Sequence, residues 1–149
     1  MGAAESAARL DTRSGLVLAD SIRSGGDKMA EILLVDDIEG VRKTIGSMLK
    51  RGGHSVTPAA NGVEAIALLK TRRFDLVVTD IVMPEGDGTE VILFLDKMAN
   101  RPRIIGMSGG GSQLSPRLAL LIARVKADAV LTKPFENTEL MAAIGRLLG

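Results

Sequence analysis

Ile32-Leu33-Leu34-Val35-Asp36-Asp37 joins a four-residue apolar run directly to two carboxylates. An apolar run without polar alternation is the pattern of a strand buried on both faces. Three more stretches follow the same plan. Leu76-Val77-Val78-Thr79 stops at Asp80, Arg103 to Met107 stops at Ser108, and Ala129 to Thr132 stops at Lys133-Pro134. Ser55 to Ala59 is a weaker strand candidate. The segments between carry apolar residues at helical spacing. Val41, Ile45, Met48 and Leu49 form one stripe, closed by Gly52-Gly53. Asn61-Gly62 turns into a second helix with Val63, Ile66, Ala67 and Leu69, and the loop Met83 to Gly88 leads to a third with Val91, Phe94, Leu95 and Met98. Ser115-Pro116 is a good N-cap and first-turn pair for a fourth helix, with Leu118, Leu121, Ile122 and Val125 inward. Leu140, Ile144 and Leu147 mark the last helix. Five βα units predict an α/β fold with a parallel sheet, helices on both faces and right-handed crossovers.

The chain has 149 residues, the length of one ordinary domain. Apolar residues make up 46% and charged residues 25%, which suits a soluble globular protein with a sizeable core. Lys plus Arg is 19 against 18 Asp plus Glu, so no basic footprint for nucleic acid is present. The lack of cysteine excludes a disulfide framework, a thiolate zinc site and a cysteine nucleophile. The single histidine, His54, excludes multi-histidine metal sites and reads as a surface residue away from the strand ends. No apolar run reaches the roughly 20 residues that span a bilayer, so a cytoplasmic protein without membrane association is expected. Met1 to Lys28 differs in composition, being rich in Ala, Ser, Gly and Arg and ending in Ser24-Gly25-Gly26-Asp27. It reads as an N-terminal extension, flexible or vector-derived, before a domain over 29–149.

The chemistry-bearing residues fall at one end of the expected sheet. Asp36, Asp37, Asp80, Ser108 and Lys133 all lie just past a strand's carboxyl end, where open parallel sheets bind ligands. Clustered carboxylates repel one another and call for a counter-charge. Lys133 supplies one positive charge, and an oxygen-only site with open positions suits Mg²⁺. A hard cation and a lysine around one exposed carboxylate make a receptor for a phosphoryl group, with Asp80 as the attacking oxygen nucleophile. Ser108 and the backbone amides beside it, at Gly109, can donate to phosphoryl oxygens.

Leu33-Leu34-Val35-Asp36-Asp37, Asp80-Ile81-Val82-Met83-Pro84 with Asp87-Gly88, Ser108 and Lys133-Pro134-Phe135 together resemble the receiver domain of two-component response regulators, in order and spacing, over about Ala30 to Gly149. The resemblance implies a flavodoxin-like, doubly wound five-stranded parallel sheet of order 2-1-3-4-5 with five helices on both faces. It implies a stand-alone regulator, not a turnover enzyme, that accepts a phosphoryl group on Asp80 in a Mg²⁺-dependent reaction. The donor would be a sensor histidine kinase or a histidine phosphotransfer protein, and the signal would pass to a downstream protein target by contact or relay. Asp37, Asp80 and the Val82 carbonyl would ligate Mg²⁺, with Asp36 acting mainly through water. Lys133 would pair with the phosphoryl group, its bond to Pro134 would be cis, and Ser108 would begin the switch.

Three positions depart from the usual receiver pattern. Val130, three before Lys133, stands where many receivers carry an aromatic that rotates inward on activation. Val82 and Gly110 flank the phosphoryl position, and neither side chain can position a water; Val82 shields the bond, whereas Gly110 leaves the entrance open. The output surface implied is the fourth helix, fifth strand and fifth helix, where Leu120 points away from the core side. A haloacid-dehalogenase-like phosphatase would need Asp-x-Asp after its first strand, and Ile38 stands where the second carboxylate belongs. An unphosphorylated receiver-fold scaffold, or a receiver fragment of a longer hybrid kinase or regulator, are the alternatives.

Overall fold

The computed structural model describes residues 29–81, 88–109 and 127–149. Five strands, β1 (Glu31–Val35), β2 (Ser55–Ala59), β3 (Leu76–Asp80), β4 (Arg103–Ser108) and β5 (Ala129–Thr132), form one sheet of order β2-β1-β3-β4-β5. All four pairings are parallel, as the βα alternation predicts. The described helices are α1 (Glu39–Arg51), α2 (Gly62–Thr71), α3 (Gly88–Asp96) and α4 (Asn137–Leu148). The helix expected after Ser115-Pro116, with Leu120 on it, lies outside the described residues, as do Val82, Gly110 and the 1–28 segment.

The central strands owe their place to their residues. Ile32, Leu33, Leu34, Val35, Leu76, Val77 and Val78 are wholly buried, so both faces of β1 and β3 are covered. Leu33, Val35 and Val77 pack with Ala65, Leu69, Val91, Ile92 and Leu95 of α2 and α3. Leu34 points to the opposite face, toward α1, where a Cβ on Gly46 would lie 3.7 Å from its Cδ2. β2 tolerates Pro58 because it is an edge strand, paired only with β1.

Two helix ends follow their sequence cues. The Gly52 N–H donates to the Met48 and Leu49 carbonyls, and the Gly53 N–H to Lys50 O at 2.9 Å. Gly53 has φ 92°, a conformation that glycine adopts without a Cβ clash. Asn61 caps α2: its Oδ1 accepts from Glu64 N at 2.8 Å, while Glu64 Oε1 accepts from Ala60 N at 2.9 Å.

Two expectations are corrected. The inward stripe of α2 is Gly62, Ala65 and Leu69, while Val63 is 70% exposed. Starting from buried Leu69, steps of four and then three give Ala65 and Gly62, which places Val63 on the outer face. His54 is half-buried, not a surface residue, and its Nδ1 accepts from Ala30 N at 3.1 Å at the entrance to β1. A ring flanking the N-terminal end of the central strand gives that backbone donor an acceptor.

Candidate functional site

Strand register assembles the site. Val35 pairs with Thr79, so the next residues, Asp36 and Asp80, emerge side by side from β1 and β3. Asp80 pairs with Met107 and Ser108 with Thr132, which sets Ser108 and Lys133 at the adjoining ends of β4 and β5. Oxygens of Asp36, Asp37 and Asp80 lie within 4.8 Å of one another. Lys133 Nζ lies 2.8 Å from Asp80 Oδ1 and 3.0 Å from Asp36 Oδ2.

The three aspartates are not equivalent. Asp36 is fully buried and all its polar atoms have protein partners. Its N–H donates to Ala59 O at 3.2 Å, and its Oδ1 accepts from Ile38 N at 2.9 Å. Its Oδ2 accepts from Lys133, and its carbonyl accepts from the Arg42 guanidinium at 2.7 Å. Asp37 is exposed, whereas Asp80 is 6% exposed. Burial pushes the Asp80 carboxyl up to about 7, with the Asp36 charge adding to the rise and Lys133 opposing it. Burial pulls the Lys133 ammonium down, but Asp80 and Asp36 together outweigh it and hold the pKa above the ordinary lysine value. The cluster therefore has more carboxylates than one ammonium neutralises, and oxygen donors alone: a donor set that fits Mg²⁺.

Gly109 shapes the lysine side of the site. It has φ 145°, and a Cβ there would lie 3.1 Å from Lys133 Cβ and 3.2 Å from Lys133 O. Lys133 N in turn donates to Ser108 O at 2.7 Å, and the Lys133–Pro134 peptide is cis, as the resemblance implies. Gly109→Ala is expected to destabilise the fold by about 1–3 kcal/mol, measured by urea unfolding, because it combines a disfavoured φ with contact against Lys133. Val130 is half-buried and packs against the core cluster.

The sequence reading missed two contributors, the Ile38 N–H and Arg42. Arg42 carried a usable signal: a cation near a helix N-terminus opposes the helix dipole, so a local acceptor is expected.

A parallel sheet of this order with a carboxylate–lysine cluster at its strand ends defines a doubly wound α/β domain with its site at the strands' carboxyl ends. Residues 32–145 match the response regulator receiver domain, and the chain belongs to that family of two-component systems. It is 40% identical over 117 residues to response regulator MprA of Mycobacterium sp. (strain KMS), covering 78% of this chain and 50% of that protein. The chain thus spans about half the length of the curated relatives of that kind. It is 34% identical over 118 residues to chemotaxis protein CheY of Halobacterium salinarum, covering 79% of this chain and 96% of that one. Among solved structures, it is similar to response regulator TrrA of Thermotoga maritima in complex with Mg²⁺-BeF. The TM-score is 0.70 and the identity 31%, over 80% of this chain and all of that one (100%). No helix among the described residues is long and apolar enough to cross a membrane.

Proposed function

We propose that this chain is a stand-alone response regulator receiver that takes a phosphoryl group onto Asp80 from a phosphohistidine donor. The observation that carries the reading is the Lys133 ammonium bridging Asp80 and Asp36 beside a third carboxylate. Asp37, Asp80 and the Val82 carbonyl would hold Mg²⁺, with Asp36 engaged through water. When bound, the cation neutralises charge on the phosphoryl oxygens. An Asp80 carboxylate oxygen forms the new bond to phosphorus as the bond to the donor imidazole nitrogen breaks, and the imidazole leaves to take a proton from solvent. Lys133 then pairs with a phosphoryl oxygen in place of Asp80, and the Ser108 hydroxyl and Gly109 N–H donate to the others.

The product adds about two negative charges at the strand ends and acts by biasing two conformations that already exist. Val130, packed on the core, does not serve as an aromatic rotor, so coupling runs through backbone and helix movement. The output surface is the face of β5 and α4, together with the helix that the sequence leads us to expect around Leu120, and it meets a protein target; neither nucleic acid nor membrane is a partner. Residues 29–149 form the receiver, with 1–28 as an extension, and the setting is the cytoplasm. The stand-alone reading draws on the likeness to CheY, which the chain covers almost whole.

Intact-mass spectrometry after incubation with acetyl phosphate tests this. Wild type should gain one phosphate-sized mass only when Mg²⁺ is present, and Asp80→Asn should gain none. No gain with either acetyl phosphate or a phosphorylated histidine protein, in folded protein, would leave the scaffold reading standing instead.

A further inference from the structure

The corner between β1 and α1 is built to hold one peptide plane. Asp36 is fully buried, so its carbonyl has no access to water and must find a donor in the protein. That donor is Arg42, whose NH1 lies 2.7 Å from Asp36 O, reaching back from the second turn of α1. The Arg42 backbone N–H also donates to Ile38 O at 2.8 Å, so one residue pins both ends of the three-residue corner. The Asp36 carbonyl belongs to the peptide joining Asp36 to Asp37. Its orientation fixes where the exposed Asp37 carboxylate leaves the backbone relative to Asp80. Arg42 makes no ion pair among the described residues, which sets it apart from Lys43 with its bond to Glu39 at 3.1 Å. Its position also opposes the helix dipole.

We propose that Arg42 is a positioning residue for the metal site: it sets the Asp36–Asp37 peptide so that Asp37 and Asp80 present oxygens at the spacing Mg²⁺ requires. The inference rests on the reading of this cluster as a Mg²⁺ site. Two physical effects pull in opposite directions, which makes the idea decidable. As a nearby positive charge, Arg42 repels a divalent cation, so its removal alone would tighten binding of any such ion. As a strut, its removal loosens the ligand geometry. Mg²⁺ demands near-ideal octahedral geometry at short distances, whereas Ca²⁺ accepts longer and more irregular ones. Loss of the strut therefore penalises Mg²⁺ selectively.

The experiment is calorimetric titration of MgCl₂ and, separately, CaCl₂ into the unphosphorylated full chain as wild type, Arg42→Met and Arg42→Lys. Arg42→Met keeps the apolar stem and removes the donor; it is expected to weaken Mg²⁺ about tenfold. The same variant should change Ca²⁺ affinity by less than about twofold. Arg42→Lys, with the charge but not the fork, should fall between wild type and Arg42→Met. Unchanged or tighter Mg²⁺ binding by Arg42→Met, or equal losses for the two ions, would overturn the positioning role. Should Arg42→Met not fold, Arg42→Lys decides alone, because a purely electrostatic role leaves its Mg²⁺ affinity at the wild-type value. A wild type that binds no Mg²⁺ overturns the metal-site reading itself, and this inference with it.

Discussion

Without divalent metal, the protein should be more stable at pH 5.5 than at pH 8.5 by about 2 kcal/mol. The source is Asp80, whose carboxyl is pushed by burial up to about 7 from an ordinary value of 3.8. Between those two values the folded chain holds a proton that the unfolded chain has lost. Stability therefore falls as pH rises through this window, at about 1.4 kcal/mol per unit. Only the part from about pH 7 down to 5.5 lies inside the interval measured, which gives the figure of about 2 kcal/mol. Asp128, whose carboxyl the Arg101 fork and the Ile104 N–H bring below the usual range against the opposing effect of burial, works the other way. Its contribution is lost only as pH falls below about 4, outside the interval. Urea unfolding at the two pH values, in EDTA, reads the difference. In Asp80→Asn the slope should flatten and the protein at pH 8.5 should be more stable than wild type. Saturating Mg²⁺ at pH 8.5 should restore wild type, by roughly 2.7 kcal/mol at a hundred times its Kd. A wild type as sensitive to pH as Asp80→Asn would show that Asp80 is not a strained carboxylate.

Much of the site is legible in the sequence, because the relevant cues are local. An apolar run that stops at a polar residue marks both a strand and its carboxyl end: β1 and β3 stop at carboxylates, β4 at Ser108 and β5 at Lys133. The parallel register then does what no local cue states, bringing Asp36 to Lys133 across 97 residues of sequence. Other features depend on which way a residue turns. Asp36 and Asp37 are neighbours of the same type, yet one is buried and bonded at every polar atom and the other is exposed. Nothing in the dipeptide distinguishes them; the direction follows from the pleat of β1 and from Lys133 lying across the sheet. The stripe of α2 misled for a related reason. Val63 is the more apolar residue, but the helical phase that buries Leu69 also turns Gly62 and Ala65 inward and leaves Val63 on the outer face. The position of Arg42 at a helix start is legible, but its partner is not, because a main-chain carbonyl has no letter in the sequence.

Lys133→Met should cost about 3 kcal/mol at pH 8 and markedly less at pH 5.5. The Lys133 side chain is 19% exposed and its ammonium touches two carboxylates, one of them fully buried. Removing one member of such a group leaves charge in a poorly solvated place, for which about 3–5 kcal/mol is typical. Methionine keeps the stem's volume, so the loss isolates the charge rather than the packing. The pH dependence follows from the same contacts. Lys133 is what holds the Asp80 carboxyl down against burial, so without it Asp80 retains its proton to still higher pH. At pH 5.5 most of the unpaired charge at Asp80 is then already neutralised, and what is left of the defect is Asp36. Adding Asp36→Asn to Lys133→Met should accordingly recover part of the loss, and the two changes should depart from additivity by about 1–2 kcal/mol. Mg²⁺ gives the complementary test. At a pH high enough to ionise Asp80 in the variant, the cluster without the lysine carries one more uncompensated negative charge, so there the same Mg²⁺ concentration should raise the melting temperature of Lys133→Met by more than it raises that of wild type. Equal stability of Lys133→Met and wild type at pH 8, with equal responses to Mg²⁺, would mean that the ammonium is a spectator and that the carboxylates are stabilised by their backbone donors alone.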